Sequence, residues 1–226
     1  MSKQRCSFGP LDVVFDDECT LAPRPWTLLQ SRVAVERAQS APPGAFVELH
    51  CGAGHIGQAV ARWSGRSIVQ VDDVVGCCAS AADNATRNGV RSLVVCASET
   101  QLPIRPETCA LLIADPPYVP TLDTGTFPDD PVHAIDGGVD GLDGVRSTLA
   151  AATALLCPGG RLLLQVRGPD QAAAAVAAAE LSHPQLGPSG IAVAADDRAV
   201  VEFVRAGPDV SASAARRVRG GEGGSR

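Results

Sequence analysis

A chain of 226 residues, 45% hydrophobic and 19% charged, carries enough apolar material for one compact domain. Such a domain buries roughly 70% of its unfolded surface and needs neither a disulfide nor a metal to hold it. No stretch approaches the roughly 20 apolar residues of a membrane helix and residues 1–10 hold no apolar signal segment, which points to a cytoplasmic protein without a membrane partner, while the net charge of −6 argues against a broad nucleic-acid surface.

In chain order, the first predicted element is a hairpin, with a strand over Asp12–Phe15 and Asp16-Asp17-Glu18 as its turn. Thr27–Ala38 is predicted helical, and Pro42-Pro43-Gly44 stops it before the first core strand, Val47-Glu48-Leu49. Ile56, Ala59, Val60 and Trp63 then recur at helical spacing. Ser67–Val71 reads as a strand ending in Asp72, and Val74–Arg87 as a helix ended by Asn88-Gly89. Ser92–Val95 and Ala110–Ala114 are the third and fourth core strands. Pro120–Gly144 is long, aperiodic and rich in Gly and Asp, the mark of a functional loop. Arg146–Leu156 is the next helix, and Cys157-Pro158-Gly159-Gly160 turns into the fifth strand, Arg161–Val166. Asp170–Leu181 is an alanine-rich helix, and strands over Ile191–Ala195 and Ala199–Arg205 close the fold. These repeated units predict an α/β, Rossmann-like fold with a mostly parallel seven-stranded sheet and helices on both faces. The organisation expected is a hairpin and lead helix over 1–40, a catalytic domain over 41–205 and a disordered basic tail over 206–226. Arg216, Arg217, Arg219 and Arg226, following Arg205, supply the charge of that tail, which reads as a solvated segment in preference to an RNA-binding arm.

Two motifs fall at predicted strand ends. The first, Cys51-Gly52-Ala53-Gly54-His55-Ile56-Gly57, follows a strand and opens a helix, with Gly-x-Gly-x-x-Gly spacing that lets the backbone approach a nucleotide-like ligand. Asp72 lies 18 positions after Gly54, close to the roughly 20 expected of a carboxylate that grips ribose hydroxyls. Ser98 and Glu99, after the third strand, are candidates to accept from an adenine amino group. The second motif, Asp115-Pro116-Pro117-Tyr118, follows the apolar run Leu111–Ala114. Its prolines fix φ and remove two backbone donors, so the Asp115 side chain and the following carbonyls form a stiff edge made only of acceptors. A planar NH2 group needs such an edge; the plainer alternative is a Pro-Pro turn that caps a strand.

Eight cysteines (6, 19, 51, 77, 78, 96, 109 and 157) contain no Cys-x-x-Cys, and the histidines at 50, 55, 133 and 183 are scattered. No metal site is expected, and the thiols read as small buried side chains, with Cys51 the one placed to touch a ligand. Asp136, Asp140 and Asp143 sit among glycines, but their spacing departs from a calcium loop.

The glycine loop by itself does not separate a dinucleotide enzyme from its rivals, and here a resemblance enters. Glu48-Leu49-His50-Cys51-Gly52-Ala53-Gly54 and Asp-Pro-Pro-Tyr resemble the motifs of class I S-adenosylmethionine-dependent methyltransferases that act on nitrogen. Ala22-Pro23-Arg24-Pro25-Trp26-Thr27 and Gly137-Gly138-Val139-Asp140-Gly141-Leu142-Asp143-Gly144-Val145-Arg146 are similar to segments of the HemK-like glutamine N5-methyltransferases that modify release factors. The likeness spans Phe8 to Arg205 and lacks that family's helical N-terminal domain. It departs from the family in having Asp115 where Asn is usual and Trp26 where Glu is usual. The resemblance implies S-adenosylmethionine as cofactor, held by Glu48, His50, Cys51, Gly52, Gly54, Asp72, Ser98, Glu99 and Asp115. It implies catalysis by Asp115, Pro116 and Tyr118, with Pro117, Tyr118, Trp26 and Thr27 against the substrate and Asp140, Asp143 and Arg146 shaping the neighbouring loop. Three functions stay open. They are methylation of a protein glutamine, methylation of an exocyclic amine in RNA, DNA or a small metabolite, and a cofactor-binding module without catalysis. A protein or small-molecule acceptor is favoured over nucleic acid.

Overall fold

The computed structural model describes residues 3–16, 18–194 and 198–207. Of the tail expected over 206–226, residues 208–226, with Arg216, Arg217, Arg219 and Arg226, lie outside the described residues, as does Ala195.

A seven-stranded sheet runs in the order β5-β4-β3-β6-β7-β9-β8. It comprises β3 (Ala45–Leu49), β4 (Ile68–Asp72), β5 (Ser92–Cys96), β6 (Cys109–Ala114), β7 (Leu156–Val166), β8 (Leu186–Ala194) and β9 (Arg198–Arg205). The first five are parallel, and β9 runs antiparallel between β7 and β8. The chain leaves β3 toward β4 and β5, then returns to β6 on the other side, so the switch in direction falls between β3 and β6. Ligands of such sheets sit beyond the carboxyl ends of the strands at that point.

Both faces are covered, which is why β6 can be apolar throughout; all six of its residues are buried. Leu112 and Ala114 join the core under α5 (Asp143–Leu155) and α6 (Gly168–Ser182). Leu111 and Ile113 face the core of α1 (Thr27–Ala38), α2 (His55–Ser64) and the N-terminal hairpin. Period-two alternation divides one strand between two cores. Helix α6 presents Ala172, Ala175 and Ala179 inward, and small side chains let it lie close to the sheet. Glu202 on β9 is buried and takes ion pairs from Arg37 of α1 and Arg161 of β7.

Helix α1 forms where expected, and its buried Gln30 fixes its position. The Gln30 amide donates to the carbonyls of Ala114, the last residue of β6, at 2.8 Å and of Leu163 in β7 at 3.0 Å. Ser31 donates to Ile56 of α2. The start of α1, with Trp26 and Thr27, is thereby held beside Asp115.

Some boundaries depart from the sequence expectation. The hairpin is β1 (Lys3–Phe8) against β2 (Leu11–Asp16), so the turn is Gly9-Pro10 and not Asp16-Asp17-Glu18. Strand β1 is mostly exposed, and an exposed strand lacks the apolar alternation that reveals the others. The Asn84 side chain of α3 (Val75–Arg87) pairs with both backbone groups of Val14, seating the hairpin on the domain. Trp63 lies on the helix as predicted but is 40% exposed. Cys157–Gly160 lies inside β7, where the pairing with β6 jumps from Leu156 to Arg161; the expected turn became an irregularity in one strand. The Pro120–Gly144 loop contains a 3-10 turn over Thr121–Thr126 and α4 (Val132–Ile135), both too short to show a period. Among the described residues no helix is long and apolar enough to cross a membrane, and all eight cysteines are free thiols.

Candidate active site

The glycine loop leaves β3 through left-handed backbone at His50, Gly52 and Gly54, with φ of 55°, 51° and 79°. Only glycine adopts that region without strain, so His50 is held there by its surroundings. Its Nε2 lies 3.0 Å from the Glu99 carboxylate and 3.4 Å from the Thr148 hydroxyl. Burial pulls the imidazole toward neutrality, but Glu99, Asp72 and Asp73 outweigh it and leave the pKa raised.

Beneath the loop Glu48 is buried. It accepts from the Gly57 backbone at 3.0 Å and from the Gln70 amide. Gln70 also donates to Gly54 and accepts from Gln58. Burial lifts the Glu48 carboxyl to about 8, against the pull of its two donors. Glu48 therefore ties the underside of the loop, and Gly54 lies against Gln58 and Gln70. A side chain at Gly52, by contrast, would meet nothing within 4 Å. Asp72, at the end of β4, accepts from the Gly52 N–H at 2.9 Å and from Val74 at 3.0 Å.

Two cavities open at the carboxyl ends of the strands. One is lined by His50, Cys51, Gly52, His55, Asp72 and Asp73, among others. The other is lined by Trp26, Pro116, Tyr118, Phe127, Ile135 and Arg198, among others. They share Leu21, Arg24, Thr27, Asp115, Pro117 and Ala134. Asp115 thus stands where the two meet. Burial pushes its carboxyl up to about 7, and the positive charges of His50 and Arg198 oppose that rise. Tyr118 is raised to about 12, mainly by burial and next by Asp115. Cys51 is buried and its thiol lies well above its ordinary pKa, which makes it an inert wall. His55, at the start of α2, is driven down to about 4 by burial and stays neutral.

The roof over both cavities is clasped from two sides. Arg24 pairs with Asp130 at 2.5 Å, and the His133 ring lies 3.1 Å from the Cys19 carbonyl. The Gly137–Arg146 segment supports the Pro117-Tyr118 backbone. A side chain at Gly137 would strike the Pro117 carbonyl at 2.8 Å, and one at Gly141 the Tyr118 carbonyl at 2.6 Å. Gln171 of α6 donates to the carbonyls of both Tyr118 and Gly141. Arg146 pairs with Asp140 and Asp143, closing the segment on itself.

Of the residues predicted for a cofactor, His50, Cys51, Gly52, Asp72 and Asp115 line the first cavity. Glu48, Gly54, Ser98 and Glu99 line neither. Glu48 lies under the loop, Ser98 pairs with the Thr100 hydroxyl, and Glu99 holds His50. Trp26, Thr27, Pro116, Pro117 and Tyr118 all line the second cavity. Sequence reasoning missed Arg198, Phe127, Asp130, His55 and His133. Arg24 was visible inside Pro-Arg-Pro, but nothing local marks Arg198. Among the described residues no cluster of three or more His, Cys, Asp or Glu side chains could hold a metal ion.

No protein-family model matches the chain. A release factor glutamine methyltransferase from Gloeobacter violaceus is 33% identical over 153 residues, covering 65% of this chain and 54% of the relative. One from Xylella fastidiosa is 32% identical over 175 residues, covering 75% and 63%. The chain thus spans little more than half the length of the first of these relatives. Among solved structures, a ribosomal protein L11 methylase from Lactobacillus delbrueckii superposes with a TM-score of 0.62 at 12% identity, covering 83% of this chain and 82% of that one. The hMettl16 catalytic domain, solved in complex with a MAT2A 3′UTR hairpin, gives 0.68 at 12% identity, covering 86% and 76%. The fold is the Rossmann-like fold of S-adenosylmethionine-dependent methyltransferases, and the sequence resemblance to the glutamine methyltransferases of release factors holds.

Proposed function

We propose that this homologue of the release factor glutamine methyltransferases transfers a methyl group from S-adenosylmethionine to the amide nitrogen of a protein glutamine, in the cytoplasm. The observation that carries the reading is the position of Asp115, where a cavity built from the glycine loop meets a cavity walled by aromatic rings.

The residues present fit the cofactor. Gly52 offers open space above the loop, Asp72 offers carboxylate oxygens at the end of β4, and the His55 Nδ1 is buried without a partner in the wall of the same cavity. His50, Cys51, Gly52 and Asp72 would hold the cofactor, which supplies a methyl group activated on a sulfonium. The rest falls to the chain's own groups. Asp115 and the Pro116 carbonyl each accept one N–H, which turns the nitrogen lone pair toward the glycine loop. Trp26 and Tyr118 flank the planar group. Alignment of this kind is worth about 7–11 kcal/mol in well-oriented systems. A carboxylate titrating near neutrality also suits taking up the proton that the nitrogen loses.

The test is transfer of labelled methyl from S-adenosylmethionine to a purified bacterial release factor, with the modified side chain located by mass spectrometry. A methylated glutamine, absent with Asp115→Ala, is the expected result. Asp115 in place of Asn favours one rival, an exocyclic amine of a nucleobase or metabolite, because a carboxylate offers acceptors only. Label that enters the nucleic-acid or small-molecule fraction of an extract, and not protein, would move the assignment there. Cofactor binding without transfer to any fraction would leave a binding module.

A further inference from the structure

A carboxylate beside aromatic rings is an arrangement that binds a cationic amine, because ring faces and carboxylate both attract positive charge. The acceptor cavity has these parts in Asp115, Trp26 and Tyr118. One further side chain changes what they select. Arg198 lines the same cavity, and its guanidinium lies 5.1 Å from the centroid of the Trp26 ring and 5.7 Å from that of Tyr118. Both distances fall within the roughly 6 Å over which a cation and a ring attract. Arg24 brings a second guanidinium, 5.8 Å from the indole, and pairs with Asp130. The charge of Arg198 also reaches Asp115, where it opposes the rise that burial imposes on the carboxyl.

Among the described residues that line the cavity, the charged side chains are Arg24, Arg198, Asp115 and Asp130. With Asp115 ionised, positive and negative charges balance before any acceptor enters. An ammonium would find the two rings already engaged by a guanidinium and would add a third positive charge, and like charges brought together away from water oppose each other strongly. Arg198 cannot give up its own charge to make room, since a guanidinium stays protonated at any working pH. An uncharged NH2, whether of a carboxamide or of an aromatic amine, offers N–H groups to Asp115 and the Pro116 carbonyl without that repulsion.

We propose that Arg198 is a specificity-determining residue: its guanidinium takes the cation position against Trp26 and Tyr118, so the site accepts an uncharged NH2 and rejects an alkylammonium. The assignment rests on the reading above, that this cavity receives the nitrogen to be methylated. It narrows that reading, because alkylamines leave the set of small-molecule acceptors.

The test measures binding to the full chain loaded with S-adenosylhomocysteine, the demethylated cofactor, by ligand-observed NMR. The probes are N-acetylglutamine methylamide, 9-methyladenine and N-acetylornithine methylamide, whose amine is an ammonium at neutral pH. The wild type should bind at least one neutral probe about tenfold or more tighter than the ornithine probe. That ratio should fall about tenfold or more in Arg198→Met, which removes the charge, and persist in Arg198→Lys, which keeps it. Arg198 does not line the cofactor cavity, so the affinity for S-adenosylhomocysteine should hold in both variants and reports that they are folded. A wild type that binds the ornithine probe as tightly as the neutral ones overturns the proposal without any variant. An unchanged ratio in Arg198→Met, a lost ratio in Arg198→Lys, or binding of neither neutral probe overturns it as well. The amide reading fails separately: a wild type that prefers 9-methyladenine and methylates no glutamine probe loses that reading, while this assignment stands.

Discussion

Asp115 makes the site sensitive to pH in a way that can be measured twice. Its carboxyl titrates at about 7 because burial disfavours the charged form, with His50 and Arg198 pulling the other way. If the ionised form grips the acceptor, the competent fraction is about one in ten at pH 6 and about nine in ten at pH 8. The kcat/KM for methyl transfer should therefore rise about tenfold between those values and then level off. Asp115→Asn should flatten the rise. Glu48, at about 8, titrates nearby, and the variant separates Asp115 from it. Stability gives the second measurement, independent of chemistry. The folded value lies above the ordinary 3.8, so the folded protein holds this proton more tightly than the unfolded chain. The contribution is complete below about pH 4 and is lost as the pH rises through about 7. Asn carries no such dependence, so Asp115→Asn should gain on the wild type by on the order of 2 kcal/mol in urea unfolding between pH 4 and pH 8. That is about half of what the full shift would give, because the side chain still meets both cavities. A flat rate profile from pH 6 to 8, or a step that persists in the Asn variant, would refute the reasoning.

Three further substitutions probe the support around this residue. Asp72→Ala removes the acceptor for the Gly52 and Val74 backbones and should weaken S-adenosylmethionine binding about tenfold or more by calorimetry, as a lost hydrogen bond to a charged group implies; unchanged affinity would reject its place in the cofactor site. In Gly57→Ala the new methyl meets the Glu48 carboxylate and the Ile68 Cδ1 at 2.6 Å, so urea unfolding should show a loss of about 1–3 kcal/mol. Gln171→Ala frees the carbonyls of Tyr118 and Gly141 and should lower kcat while cofactor affinity holds, whereas a fall in affinity alone would place its effect elsewhere.

The order of elements, the parallel sheet and the two motifs at the strand ends are legible in the residues alone. Strands such as Cys109–Ala114 announce themselves because a strand buried on both faces must be apolar along its length. The Gly52–Gly57 turn and the Asp115–Tyr118 edge are legible because backbone geometry restricts which residues can occupy them. Long-range packing set what no local rule carries. The exposed strand Lys3–Phe8 has no apolar pattern to betray it, so the hairpin turn was misplaced. Glu48 and Glu99 both sit at strand ends, where a ligand-binding carboxylate belongs, yet one is tied to Gly57 and Gln70 and the other to His50. Which way a carboxylate faces depends on partners that are distant in the chain. Arg198 is the clearest case. It opens the last strand, far from both motifs in sequence, and lines the acceptor cavity only because antiparallel pairing of β9 with β7 sets it beside the carboxyl end of the neighbouring parallel strand.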